Sequence, residues 1–413
     1  MKTQSPKKKK QKPNKHYFDY WQIINNTLLF LFFILLPTQF GKHFFLPFSF
    51  LSGVRVDYLA PTVYLTDIFI FILLIINLKS IFQFLKNRYI LLILALLLVN
   101  VIFSRSLNLS FYRLIKYLEV FVIVGVVIKS KLSFKWIMNG FLVSGLFELV
   151  LAAAQFVSKQ SLQGIYYFFG ERLFALSTPG IAKTAINGIE FIRPYATFSH
   201  PNSMAGFFLL VYFIIMSHSS FNRFWLQKIL LLFICSLLIF LSFSKTAMAV
   251  FVILNIGFLL FKNKQPCKIC SLAKLSALIV LAFIVFMAKG DSLSMQKRID
   301  LIKNSIAIFL SNPFTGTGAG TYLLAQSEFD SKLLFVFNQP VHNIFLLMLS
   351  ELGIVILLPI LLIFINIWKE HRNTVLSTVL LTIALTGLFD HYWLTLQQNL
   401  LLIGVAVGLS KRV

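Results

Sequence analysis

A chain of 413 residues with 58% apolar and only 13% charged side chains lies far from the balance of a soluble globular domain. Phe occurs 46 times and mean hydropathy is +0.82, so lipid-facing helices must account for most of the mass. The formal net charge of +24 is scattered through short loops between apolar runs, not clustered on one soluble face; it reads as a topology signal and argues against a nucleic-acid partner.

Residues 1–20, beginning MKTQSPKKKKQKPNKH, read as a disordered, basic, cytoplasmic arm. The apolar run from Ile23 to Leu36 lacks a small-residue cleavage site, so it reads as a retained first span. Residues 21–413 then form a single membrane domain of the all-α, polytopic class. Runs able to cross about 30 Å of hydrocarbon at roughly 1.5 Å per residue fall near residues 21–37, 64–78, 89–103, 112–128, 136–157, 202–217, 226–243, 246–261, 273–288, 343–367, 375–389 and 393–409. That predicts about twelve transmembrane helices.

With both termini cytoplasmic, Lys and Arg are denser on the inside and most acids lie outside, as the positive-inside rule asks. The long loops near 158–201 and 289–342 are then external and hold most of the polar chemistry. Cys235, Cys267 and Cys270 cannot build a disulfide framework, and CKIC lacks the second pair of a zinc site. The lysines around CKIC suit a cytoplasmic loop touching anionic headgroups.

In the external segments, RPYATFSHPN (193–202) sets Arg193 just before Pro201 and Asn202, a helix start whose N–H groups favour an anion. FSKTAM holds Lys245 in a tight turn between spans, and Arg298 lies in the second long loop. Each cation either holds a phosphate or simply snorkels to headgroups. QKRIDLIKNSIAIFL carries a stripe of Ile299, Ile302, Ile306 and Phe309, the pattern of an interfacial helix. SNPFTGTGAGTYL has no Gly-Lys-Ser/Thr and is not a nucleotide loop; its glycines suit a tight loop against the membrane or a substrate. His342 and Asn343 stand at the external mouth of the tenth span, with Glu351 about two turns deeper. A histidine can take a proton near neutral pH, although one at an interface is more often an anchor. FDHYWLTLQQN adds Asp390 and His391 beside an aromatic belt of Tyr392 and Trp393. No D-x-D or H-x-x-H pair marks a metal site, and no serine elbow is present. Cations with one histidine and no metal suit displacement of a phosphate leaving group by a hydroxyl.

The ordered set RPYATFSHPN, FSKTAM, NPFTGTGAGTYL and HNIFLLMLSELGI resembles the O-antigen ligase and O-antigen polymerase superfamily, well over about residues 190–355 and only in topology before that. The resemblance implies a fold of the C-type glycosyltransferase class in the cytoplasmic (inner) membrane. It implies transfer of a glycan from a polyprenyl-pyrophosphate carrier to a lipid, glycan or protein acceptor, with no cofactor and no metal. Arg193 and His342 fall at the family's catalytic positions, as pyrophosphate contact and acceptor-activating base. Lys245, Arg298, Asn202, Asn343, Asp390 and His391 are the expected substrate-binding residues around them. Lys245 departs from the family's usual arginine, keeping the charge but losing the bidentate fork.

A transporter or flippase of lipid-linked glycans is the competing reading. It would need broken helices, a midplane site and internal repeats, and no repeat is visible between the halves. Glu119 and Glu148 favour it, unless they are structural partners of a basic residue such as Lys116.

Overall fold

Long apolar runs become helices because only a helix satisfies its own backbone N–H and C=O groups in hydrocarbon. The computed structural model describes residues 20–186, 188–262, 292–329 and 339–412. The arm up to residue 19, the span expected at 273–288 and the Cys267/Cys270 pair lie outside them. Helices α1 (Tyr20–Leu35), α2 (Leu65–Ile76), α3 (Leu78–Leu85), α4 (Arg88–Ile102), α5 (Leu107–Lys129) and α6 (Phe134–Ser158) form the first half. The second half holds α7 (Pro201–Ser217), α8 (Trp225–Leu241), α9 (Lys245–Lys262), α10 (Ser292–Ser311), α11 (Tyr322–Phe329), α12 (Ile344–His371), α13 (Thr374–Gly387), α14 (Tyr392–Thr395) and α15 (Gln397–Ser410).

Among the described residues, Phe134–Ser158, Ser219–Leu241 and Ile344–His371 are each long and apolar enough to cross a membrane. Six shorter apolar helices stand where the sequence places further spans, and the chain is a helical membrane protein. The run at 64–78 departs from a simple span, because α2 and α3 meet at 93°. Asn77 makes the corner: its side-chain nitrogen donates to Leu73 O (2.8 Å) and to Asn25 Oδ1 (2.7 Å), diverting the chain from helical continuation.

Helix α7 is buried almost throughout, as expected of an apolar helix enclosed by others. Helix α15 packs closely on α5 where Gly404 and Gly408 meet Val120, Ile123 and Val127, small residues letting two backbones approach. The two ends of α5 define two ends of the bundle. At its start, Ser110 Oγ donates to Ala319 O (2.9 Å); beyond its finish, Arg412 reaches Ser130 Oγ (3.1 Å) and Leu132 O (2.7 Å).

The two long loops are ordered over their described parts. Residues 158–201 carry the antiparallel hairpin β1 (Lys183–Ile186) and β2 (Ile189–Ile192), and the second loop carries α10 and α11. On α10 the stripe Ile299, Ile302 and Ile306 is exposed, while Leu301, Ser305 and Ile308 are buried against the protein. The apolar stripe is therefore the face turned away from the fold, a placement compatible with lipid.

Helix α12 is broken at Gly353 (φ 62°, ψ 174°), and the glycine-rich loop fills the break. Thr317 N and Gly318 N donate to Ser350 O (3.0 Å) and Glu351 O (2.9 Å), while Ile354 N and Val355 N donate to Pro313 O (2.8 Å) and Phe314 O (3.0 Å). Those four bonds satisfy backbone groups that a broken helix would leave unpaired. Asn100 on α4 bonds Thr315 O, Glu351 O and Ala319 N, fastening the loop to the bundle. Glu351, expected about two turns down a span, lies at this junction and accepts from Tyr322 N (3.3 Å).

Candidate functional site

The motif RPYATFSHPN reaches the site through a tightly held turn. Ala196 adopts φ 50°, unfavourable for a residue with a side chain, so the turn needs outside support. Two buried side chains of α6 supply it. Gln155 Oε1 accepts from Tyr195 N (3.0 Å) and Ala196 N (2.8 Å); Glu148 accepts from Thr197 N (3.0 Å) and the Thr197 hydroxyl (2.6 Å). Glu148 is therefore a partner of this loop and not of Lys116. Glu119 is the acid beside Lys116, which also pairs with Asp67, and Gln397 donates to both acids at 2.7 Å.

From that turn the polar side chains converge. Arg193 Nε donates to Ser242 O (2.8 Å) and Arg193 Nη2 to Asn202 Oδ1 (2.5 Å). Asn202 Nδ2 donates to Asp390 Oδ2 (2.8 Å), and Asp390 Oδ1 accepts from His391 N (2.8 Å). His342 Nδ1 lies 3.5 Å from Asp390 Oδ1, within ion-pair range but without a hydrogen-bond partner. The His342 and His391 rings are 5.1 Å apart. Residues from just after β2, the start of α7, just before α12 and the turn after α13 thus form one cluster.

The helix start at Pro201 is not open to an anion in the way the sequence suggests. His200 caps α7, its Nδ1 accepting from Asn202 N (3.1 Å), and its carbonyl accepts from Ser203 N (3.0 Å). Asn343 caps α12, accepting from Phe345 N (2.9 Å) and Leu346 N (3.0 Å) and donating to Leu388 O (3.1 Å). Lys245 opens α9 and is exposed, three residues beyond the Ser242 carbonyl that holds Arg193. Arg298, part-buried on α10, is near enough to act electrostatically on both Arg193 and His391.

Three members were not singled out from sequence. His200 is in the quoted motif, but its role as a cap needs the fold. Tyr58 puts its ring 5.5 Å from that of His391, and Arg172 donates to Ser199 O (2.7 Å) beside the cluster. Nothing in the local sequence around Tyr58 or Arg172 signals this position.

Burial governs the charge states. It drives the pKa of His391 and His200 down to about 3, so both are neutral imidazoles. The Thr395 hydroxyl donates to His391 O (3.1 Å), so its oxygen takes the proton of His391 Nδ1 (2.8 Å), an assignment made from the hydrogen-bond network. Arg193 is lowered by burial to about 10 and stays charged at neutral pH. Burial alone would raise Asp390, but His342, with smaller contributions from His391 and His200, outweighs it and holds the carboxyl well below the usual range.

Among the described residues, His342, Asp390 and His391 present atoms able to hold a metal ion, all within 4.8 Å of one another. The set carries a single carboxylate, already accepting two hydrogen bonds, and Arg193 and Arg298 act on it electrostatically.

A helical membrane protein whose cations, carboxylate and imidazoles meet at one end of its bundle has the parts for handling a phosphate-bearing substrate beside a lipid surface. Residues 230–361 match the family model for O-antigen ligase, in keeping with the resemblance carried by the motifs of this stretch. The matched stretch contains Lys245, Arg298, the glycine-rich loop and His342; Arg193, Asp390 and His391 lie outside it. No curated protein matches the chain.

Proposed function

We propose that the protein transfers a glycan from a polyprenyl-pyrophosphate carrier to an acceptor hydroxyl at the outer face of the cytoplasmic membrane, without a metal. The supporting observation is the convergence of Arg193, Asn202, His342, Asp390 and His391 from four separate elements. In this reading Arg193, with Arg298 and Lys245, stabilises charge on the departing pyrophosphate. His342 takes the proton of the acceptor hydroxyl, and Asp390 stabilises the imidazolium that forms. The acceptor oxygen bonds to the anomeric carbon as the carbon–oxygen bond to pyrophosphate breaks. Twelve crossings in a C-type arrangement, with both termini inside, complete the picture.

The flippase reading draws least support from the acids that first suggested it. Glu119 and Glu148 are each committed to neighbouring residues, as described above. The test is transfer from a synthetic lipid-linked glycan by purified protein. His342→Ala should insert normally, bind the carrier and lose roughly 10²- to 10⁴-fold in turnover, the usual contribution of a positioned base. Arg193→Ala should weaken carrier binding by about 1.5–3 kcal/mol. Wild-type rates in both purified variants would remove these two residues from the reaction.

A further inference from the structure

Arg193 and Asp390 carry opposite charges in a buried cluster, yet they do not touch. One amide separates them. The oxygen of Asn202 accepts from Arg193 Nη2 (2.5 Å), and its nitrogen donates to Asp390 Oδ2 (2.8 Å). The orientation is forced, because a guanidinium can only donate and a carboxylate can only accept. The backbone of Asn202 is fixed in the first turn of α7, its N–H held by His200 Nδ1 (3.1 Å), which sets its side chain between the two charges.

We propose that Asn202 is a positioning residue that keeps Arg193 and Asp390 from closing into a direct ion pair. This inference rests on the glycan-transfer reading and reassigns Asn202, expected from the sequence to touch substrate. A buried cation and carboxylate this near would attract each other strongly. Once paired, the guanidinium would be turned from an incoming pyrophosphate, and the carboxylate would be neutralised where His342 needs it, 3.5 Å away. A neutral amide satisfies one group of each partner and leaves both charges in place. Arg193 keeps its remaining guanidinium edge for phosphate oxygens, and Asp390 keeps its field on His342. An apolar spacer would leave both charges unsatisfied, while a charged one would neutralise one of them and repel the other.

The test compares Asn202→Asp and Asn202→Ala with Arg193→Ala and His342→Ala, in nanodiscs, reading the affinity for undecaprenyl pyrophosphate. Asn202→Asp is nearly isosteric and suits the first turn of a helix, and the thermal midpoints of both Asn202 variants report that folding is kept. Its carboxylate pairs with Arg193 and should weaken carrier binding about tenfold to a hundredfold, the loss of one charge-assisted contact. Asn202→Ala lets the ion pair close and should weaken binding in the same direction. His342→Ala should bind as the wild type does. If Asn202→Asp and Asn202→Ala both bind the carrier with wild-type affinity while Arg193→Ala does not, the spacer role is wrong and the transfer reading survives. If Arg193→Ala also binds normally, the carrier is not held at Arg193, and both fall together.

Discussion

His200 and His391 are imidazoles that the fold keeps uncharged, and this sets how the protein responds to acid. Their folded pKa values near 3 lie below the value of about 6.5 expected in an unfolded chain. Between those limits the unfolded state binds more protons, so stability is full above about pH 6.5 and drains away as pH falls toward 3. Asp390 acts in the same direction only below about pH 4, where the unfolded carboxyl begins to protonate. The thermal midpoint of detergent-solubilised protein should fall steadily from pH 6.5 to 4. His200→Asn keeps a capping oxygen but removes one proton site, and should flatten that decline. An unchanged slope in the variant would mean that His200 is not buried and neutral as described.

At the scale of elements, the glycine-rich loop and α12 depend on each other. Gly316 (φ 68°) and Gly353 (φ 62°) lie backbone to backbone, and a methyl on either would overlap the other strand of chain. Gly316→Ala or Gly353→Ala should therefore cost roughly 3 kcal/mol or more and reduce the yield of monodisperse protein on size exclusion. Full yield and stability from both would show that the break relaxes easily. The sequence reveals these glycines and argues against a nucleotide loop, but it cannot show what they pack against. Hydropathy likewise reads 343–367 as one span, because Gly353 sits in an apolar run and its positive φ leaves no compositional trace. The corner at Asn77 was hidden for the same reason: a single asparagine looks tolerable in a helix until Asn25 is seen opposite it. Periodicity and apolar length are local signals, and they recover elements well. Arg193, Asn202, His342, Asp390 and His391 could each be picked out from their polar setting; their mutual contacts needed four elements to meet.

Over the whole molecule, charge is distributed by end. The cluster lies at one end, while Arg412, Ser130 and the pair Tyr89–Glu370 mark the other, alongside Lys129, Lys131, Arg372 and Lys411. The orientation proposed above, with this basic end in the cytoplasm and the cluster outside, is the one the positive-inside rule asks for. Ser177→Cys and Ser311→Cys, both at exposed positions, should react with a membrane-impermeant maleimide in intact cells, whereas Ser133→Cys should not. Labelling of position 133 alone would reverse the orientation and place the cluster inside.

The wedge in α12 also bears on how substrates meet. The short segment carrying the histidine is clamped by Asn343 to Leu388 at its head and by the backbone bonds around Gly353 at its foot. Such a segment behaves as an anvil: in the transfer reading proposed above, the moving parts are the lipid-borne donor and its acceptor, which come to a base that stays still. Turnover would then follow membrane fluidity and how long each substrate dwells against the cluster, more than any opening or closing of the protein.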